Sequence, residues 1–154
     1  MPPIQWTTAM SVGLQELDDD HKVLIDVINR LETNTEAGAQ PEVARSCLMS
    51  LRRYAEFHFA REEKVMTACN FPGIGVQKSE HHDFIERIRD ETQRFDADPE
   101  ASAQVVNQEL LDYLKSWLSH HILIEDMAYR PYVERSAAAK QAARSFKASE
   151  VWWS

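Results

Sequence analysis

Four stretches of this chain repeat apolar residues at helical spacing, and in each the apolar stripe gives way to histidine, carboxylate or amide partway along. In the first, His21 falls in series with Leu17, Leu24, Ile28 and Leu31. In the second, His58 and Glu62 continue Leu48, Leu51 and Ala55 and lead on to Val65. In the third, Gln77 and His81 precede Phe84, Ile88 and Phe95; in the fourth, His121 and Glu125 follow Leu111, Leu114 and Leu118. A stripe at this spacing lies on one face of a helix, and that face must be buried against other helices. The chain is therefore constrained to a helical core with a polar layer inside it, and buried charge of that kind is costly unless something compensates it.

The punctuation between the stripes sets the elements. Helices are predicted over 17–35, 41–69, 76–95 and from about Ser102 to the region of Tyr129, separated by Gly38 and Pro41, by Asn70-Phe71-Pro72-Gly73, and by Asp96-Ala97-Asp98-Pro99. The triplet Asp18-Asp19-Asp20 suits the positive end of the first helix. Pro131 is expected to bound the fourth helix, and an Ala-rich fifth helix is expected over 136–149. Short connections imply antiparallel neighbours. The expected fold is all-α, an up-down-up-down antiparallel four-helix bundle with an N-terminal arm and a short C-terminal helix. Residues 1–132 are expected to form the bundle, with Trp6 and Leu14 of the arm covering one end, and 133–154 a helical extension on or near it, with Trp152 and Trp153 packed back.

Composition narrows the function. A net charge of −8 argues against nucleic acid, since phosphate binding needs clustered Lys and Arg. There is no apolar run of membrane-spanning length and no signal peptide, so a soluble cytoplasmic chain with no membrane partner is expected. The two cysteines, Cys47 and Cys69, are too isolated for a thiolate site and read as reduced structural thiols. A monomer is expected, with weak self-association through the C-terminal tail as the alternative.

The stripe residues carry chemistry. His58 and Glu62, Gln77 and His81, and His121 and Glu125 are each four apart, which places both members on one face one turn apart. His121 and Asp126 are five apart and diverge by about 140° on an ideal helix, so Asp126 joins them only if the helix loosens there. Imidazole with carboxylate and no thiolate suits iron, manganese or zinc. Four histidines with two or three carboxylates exceed the needs of one tetrahedral ion and can hold two. One histidine on an apolar stripe is ordinarily a core residue with a hydrogen bond; histidine or carboxylate on all four stripes is a different matter. His82, His120, Glu63, Asp83 and Arg52-Arg53 are expected on the solvated face.

These motifs resemble the bacterial hemerythrin family of non-heme di-iron proteins, from Trp6 to about Tyr132. The resemblance rests on Val12-Gly13 with Leu17 to Lys22, His58 to Glu63, Phe71-Pro72-Gly73 leading to Lys78 to His81, and Trp117 to Ile122 running on to Asp126 and Tyr129. It implies two iron ions with an oxo or hydroxo bridge: His21 and His58 on the iron open to dioxygen, His81 and His121 on the other, Glu62 and Asp126 bridging. Leu24, Ile28, Leu114 and Trp117 would keep water from the open side. The wider superfamily also admits Glu125 as the last carboxylate; sequence context favours Asp126.

The chain departs from the family at Gln77, where histidine is expected. The amide oxygen can ligate, water can take the position, or Glu80, His82 or Glu125 can move in. The leading expectation is a dioxygen-binding protein for storage, delivery or sensing. The alternatives are an enzyme acting on peroxide or nitric oxide, and a metal- or redox-sensing interaction module.

Overall fold

The computed structural model describes residues 2–151. The chain runs through a turn of 3-10 helix at Thr8–Met10 and then α1 (Gln15–Glu36), α2 (Pro41–Ala68), α3 (Ile74–Ala97) and α4 (Pro99–Trp117). The fourth helix does not end at Trp117. It continues as a π-helical segment, Leu118–Glu125, and a 3-10 turn, Asp126–Tyr129, into the short α5 (Arg130–Glu134). Pro131 lies in the first turn of α5 rather than beyond a helix end, a position where its missing N–H goes unneeded. Last come α6 (Ala137–Ser145) and a 3-10 turn, Ala148–Glu150. There is no strand among the described residues. Trp152 and Trp153 lie outside them.

Helices α1 to α4 form a four-helix bundle in which each packs on its chain neighbours and α4 closes on α1. The connections explain the tight corners. Between α1 and α2, Gly38 takes φ +91° and Ala39 φ 57°, and the Ala39 N–H closes back on the Asn34 carbonyl at 2.7 Å. Between α2 and α3, the Phe71 N–H reaches the Met66 carbonyl at 3.0 Å. The Phe71 ring then lies so close to Gly73 that a Cβ there would sit 2.6 Å from it. A single residue, Asp98, joins α3 to α4 and caps the Ala101 N–H.

The core falls into two apolar clusters on either side of the polar layer. The larger holds Leu24, Ile28, Leu31, Leu48, Leu51, Phe59, Phe84, Leu110, Leu114 and their neighbours from all four helices. The smaller holds Val12, Leu14, Leu17, Val65, Met66, Phe71, Tyr129 and Val133 together with Ala139, Ala142 and Ala143 of α6. Each large side chain taken fully from water contributes about 1.5–3 kcal/mol, so both clusters hold the four stripes in register. Helix α6 packs on α2, its first turn capped by the Ser136 hydroxyl on the Ala139 N–H.

The N-terminal arm does not cover one end. Ile4 and Trp6 pack on the larger cluster, whereas Leu14 belongs to the smaller. The Asn29 side-chain amide exchanges two hydrogen bonds with the Ile4 backbone, both 2.9 Å. Asp18, buried, accepts from the Val12 N–H and the Ser11 hydroxyl. That side chain fastens the arm as well as facing the helix N-terminus. No described helix is long and apolar enough to cross a membrane.

Candidate metal centre

Glu62, with no exposed surface, stands at the middle of the polar layer. One of its oxygens, Oε2, lies 3.3 Å from His58 Nε2 and 3.8 Å from His21 Nε2. The other, Oε1, lies 2.8 Å from His81 Nε2 and 4.0 Å from His121 Nε2. Asp126, equally buried, places Oδ2 3.3 Å from His21 Nε2 and Oδ1 3.2 Å from His121 Nε2. Helices α1, α2 and α3 and the end of the α4 run thus each deliver an imidazole to two shared carboxylates. Three groups have ligand atoms all within 4.8 Å of one another: two fully buried, His21, His58, Glu62 and Asp126, and Glu62, His81 and His121, and a third at the outer edge, Glu80, His121 and Glu125.

The π-helical segment accounts for Asp126. Its wider turn carries the residue five positions after His121 back to the face that an ideal helix would deny it. Glu125 goes elsewhere. It is half-exposed, and its Oε2 stands 3.3 Å from His121 Nδ1, the nitrogen on the far side of the ring from Asp126. Gln77 is buried in the layer; its amide nitrogen donates to Asp126 Oδ1 at 2.9 Å. Glu80 and Glu125 flank His121 from outside, on its Nδ1 side, and His82 is exposed.

A second ring of carboxylates backs the histidines. Asp20 bonds His58 Nδ1 at 2.9 Å and is itself gripped by Arg61. Glu63 bonds His81 Nδ1 at 2.8 Å, and Glu80 bonds His121 Nδ1 at 2.6 Å. Such contacts fix ring orientation and leave Nε2 for the interior. Glu63 is buried, which corrects its expected place on the solvated face. Adjacency to Glu62 gave no signal for this: His82 and His120 stand in the same relation to inward His81 and His121, about 100° round the helix, and are exposed. His120, Asp83, Arg52 and Arg53 are exposed.

The electrostatics favour positive charge at this layer. Burial alone would raise the Glu62 carboxyl, but the charge of His58 and the close approach of the His121, His21 and His58 imidazoles hold it well below its ordinary range. Asp126 is lowered too, as His121 and His21 outweigh burial and the repulsion of Glu62. Burial opposes charge on His58, yet Glu62 and Asp20 lift it to about 10. His121 is lifted to about 11 by Asp126 and Glu62, again against burial. His21 and His81 are raised in the same way. Burial and the charges of Glu62 and Asp126 raise the hydroxyls of Tyr54 and Tyr129 well above the usual phenol value.

Satisfaction of the buried polar atoms tests whether a cation fits. Nε2 of His21, His58 and His121, Oε1 of Gln77 and Oδ2 of Asp126 have no hydrogen-bond partner, although all are buried. Orphaned atoms of this kind are rare in a folded core and cost free energy unless a ligand takes them. Here they are imidazole, carboxylate and amide donors converging between two carboxylates, which fits a cation site.

Aromatic rings of the larger cluster press on three of the imidazoles. Tyr54 stacks on His58 at 4.8 Å, Phe59 on His81 at 4.0 Å and Trp117 on His121 at 3.9 Å. Leu24, Ile28, Leu114 and Trp117 are all buried in that cluster. On the opposite side the Tyr129 hydroxyl donates to Glu62 Oε2 at 2.8 Å.

Comparison with known proteins agrees with this geometry. The family described as Hemerythrin HHE cation binding domain matches residues 12–133. The bacteriohemerythrin of Clostridium acetobutylicum is 27% identical over 128 residues, covering 80% of this chain and 96% of its own. That of Methylococcus capsulatus is 30% identical over 132 residues, covering 85% and 97%. That of Pseudomonas aeruginosa is 29% identical over 136 residues, covering 88% and 85%. With a match over most of its length and buried His, Glu and Asp clusters on four helices, the chain belongs to the hemerythrin family of cation-binding proteins.

Proposed function

We propose that the chain binds dioxygen at a pair of iron ions, for storage, delivery or sensing. His21 and His58 would hold one ion, His81 and His121 the other, with Glu62 and Asp126 bridging and Gln77 Oε1 facing the second ion in place of an imidazole. The observation that carries this is the set of orphaned Nε2 atoms of His21, His58 and His121 around two fully buried carboxylates. A ferrous pair supplies the two electrons that dioxygen binding requires. The protein residues do the rest. Glu62 and Asp126 offset the charge of the cations in a low-dielectric core. Asp20, Glu63 and Glu80 hold the rings. Leu24, Ile28, Leu114 and Trp117 exclude water from one side. Anaerobic loading with ferrous iron followed by air is the test. A visible charge-transfer band that forms with air and vanishes on removing oxygen supports the proposal; immediate irreversible oxidation contradicts reversible carriage.

Gln77 favours a second reading, an enzyme acting on peroxide or nitric oxide. Its amide nitrogen is committed to Asp126, which leaves one oxygen where the family has an imidazole and so a less filled second ion. Gln77→His separates the two. On the enzyme reading it suppresses turnover of hydrogen peroxide or nitric oxide and prolongs the oxygen adduct. On the carrier reading the wild-type chain shows no such turnover to suppress.

A further inference from the structure

The family match ends at residue 133, and beyond it α6 packs on α2. Residues 145–150 then form a strap across the outer side of α2. The Ser145 hydroxyl accepts from Lys64 Nζ at 3.2 Å, and the Glu150 carboxylate pairs with the same ammonium at 2.9 Å. Between these two ties the half-buried Phe146 ring lies against the Arg61 guanidinium, whose carbon is 5.0 Å from the ring centroid. That is within reach of a cation–π contact. Arg61 and Lys64 are three apart, so the strap meets two neighbours on one face of α2.

Arg61 leads inward. Its Nη1 donates to both oxygens of Asp20, at 2.6 Å to Oδ1, and Asp20 Oδ2 bonds His58 Nδ1 at 2.9 Å. A fork-on-fork pair of arginine and carboxylate would use two nitrogens. Here one nitrogen serves both oxygens, and Arg61 Nε, although buried, has no hydrogen-bond partner. Hydrogen bonds alone therefore leave the guanidinium free to swing about Nη1, and the Phe146 ring supplies the missing constraint. His121 provides the contrast. Its Nδ1 is backed by Glu80, which belongs to α3, whereas α6 packs on α2, α1 and α5.

We propose that Phe146 is a positioning residue: through Arg61 and Asp20 it holds the His58 ring with Nε2 turned inward, so that the C-terminal strap steadies His58 and not His121. Its consequence for iron rests on the metal-pair reading above; the contacts themselves are testable without metal.

The first measurement uses metal-free protein labelled with 15N at histidine. The His58 Nδ1 proton is identified by its loss in Asp20→Ala, and its exchange with water is timed. Phe146→Leu keeps an apolar side chain on α2 and removes the ring. A lost cation–π contact should quicken exchange at His58 about 3–10-fold and leave the Nδ1 proton of His121 at its wild-type rate. Phe146→Tyr, which keeps the ring, should behave as wild type. Arg61→Gln should quicken the same proton, and adding Phe146→Leu to it should change nothing more, because the ring acts through Arg61.

The second measurement times iron release from ferrous-loaded protein to an added chelator. Partners of a ligand histidine govern metal retention, so Phe146→Leu should release iron about 3–10-fold faster than wild type. Asn107→Ala sets the scale for mere destabilisation. That residue bonds Asn34 near the turn between α1 and α2, and its loss should lower the melting temperature without changing the release rate. Unchanged exchange at His58 in Phe146→Leu, equal quickening at His121, additive effects in the double variant, or iron release that follows melting temperature across the variants overturns the assignment and leaves the metal-pair reading standing. Failure of wild type to take up iron overturns the metal-pair reading, and the exchange rates at His58 and His121 then decide the assignment by themselves.

Discussion

The bundle buries two polar clusters, and they are satisfied in opposite ways. Near the turn between α1 and α2, Asn34 and Asn107 bond to each other at 2.7 Å. Asn34 also accepts from the Gln40 N–H, and Asn107 donates to the Leu31 carbonyl and the Thr35 hydroxyl. Neither asparagine is left with an orphaned atom. In the layer around Glu62, four imidazole nitrogens, a carboxylate oxygen of Asp126 and an amide oxygen are orphaned. Burial is the same in both places, so burial does not distinguish structure from function. Satisfaction does. A closed network fixes the register of α1 against α4, whereas a convergent open one is the imprint of a ligand.

If that distinction holds, each cluster answers differently to damage. Glu62 stands between all four histidines, so Glu62→Ala should reduce bound metal per chain to near zero, measured by elemental analysis after loading and desalting. The metal-free variant should still show the helical spectrum of the wild-type bundle. Asn107→Ala should do the reverse. It removes the three buried hydrogen bonds of Asn107, to Asn34, the Leu31 carbonyl and the Thr35 hydroxyl, at a cost of about 3 kcal/mol, or about 6–12 °C in melting temperature, while metal content stays at the wild-type value. A variant that loses metal and fold together at either position breaks the comparison.

Glu91 is an intermediate case and gives the smallest effect. It is buried, one oxygen held by Arg87 at 3.2 Å and the other without a partner. Burial first, and then the carboxylate of Glu109, push it from an ordinary 4.5 to about 7, against the pull of Arg87. A carboxyl raised on folding binds its proton more tightly in the folded state. The fold is therefore unburdened below pH 4.5 and loses stability as pH rises through 7. Glu91→Gln should melt about 2–4 °C above wild type at pH 8, the shift for ~1 kcal/mol, with the gain gone near pH 4.5. Melting scans across that range check both the size and the sign.

What the sequence disclosed follows from the same physics. His21, His58, Glu62, His81 and His121 are legible because regular helix places residues three and four apart on one face. Asp126 is not legible from periodicity, because the π-helical stretch from Leu118 to Glu125 breaks the rule that would be used to find it; only the family motif pointed to it. Glu63, Asp20 and Glu80 were obscured for a different reason. Their partners are the outward nitrogens of histidines on other helices, a tertiary relation that no local spacing encodes. The arm was misjudged because the hydrogen bonds between Ile4 and Asn29 join residues far apart in the chain.

On the proposed metal pair the open cluster holds two ions, and counting bound metal decides it. The chain is loaded anaerobically with excess ferrous iron and desalted, and iron per chain is measured alongside Glu62→Ala and Asn107→Ala. The account predicts two ions per chain for wild type and for Asn107→Ala, and none for Glu62→Ala. One ion or none in the wild-type chain, or two in Glu62→Ala, would contradict it.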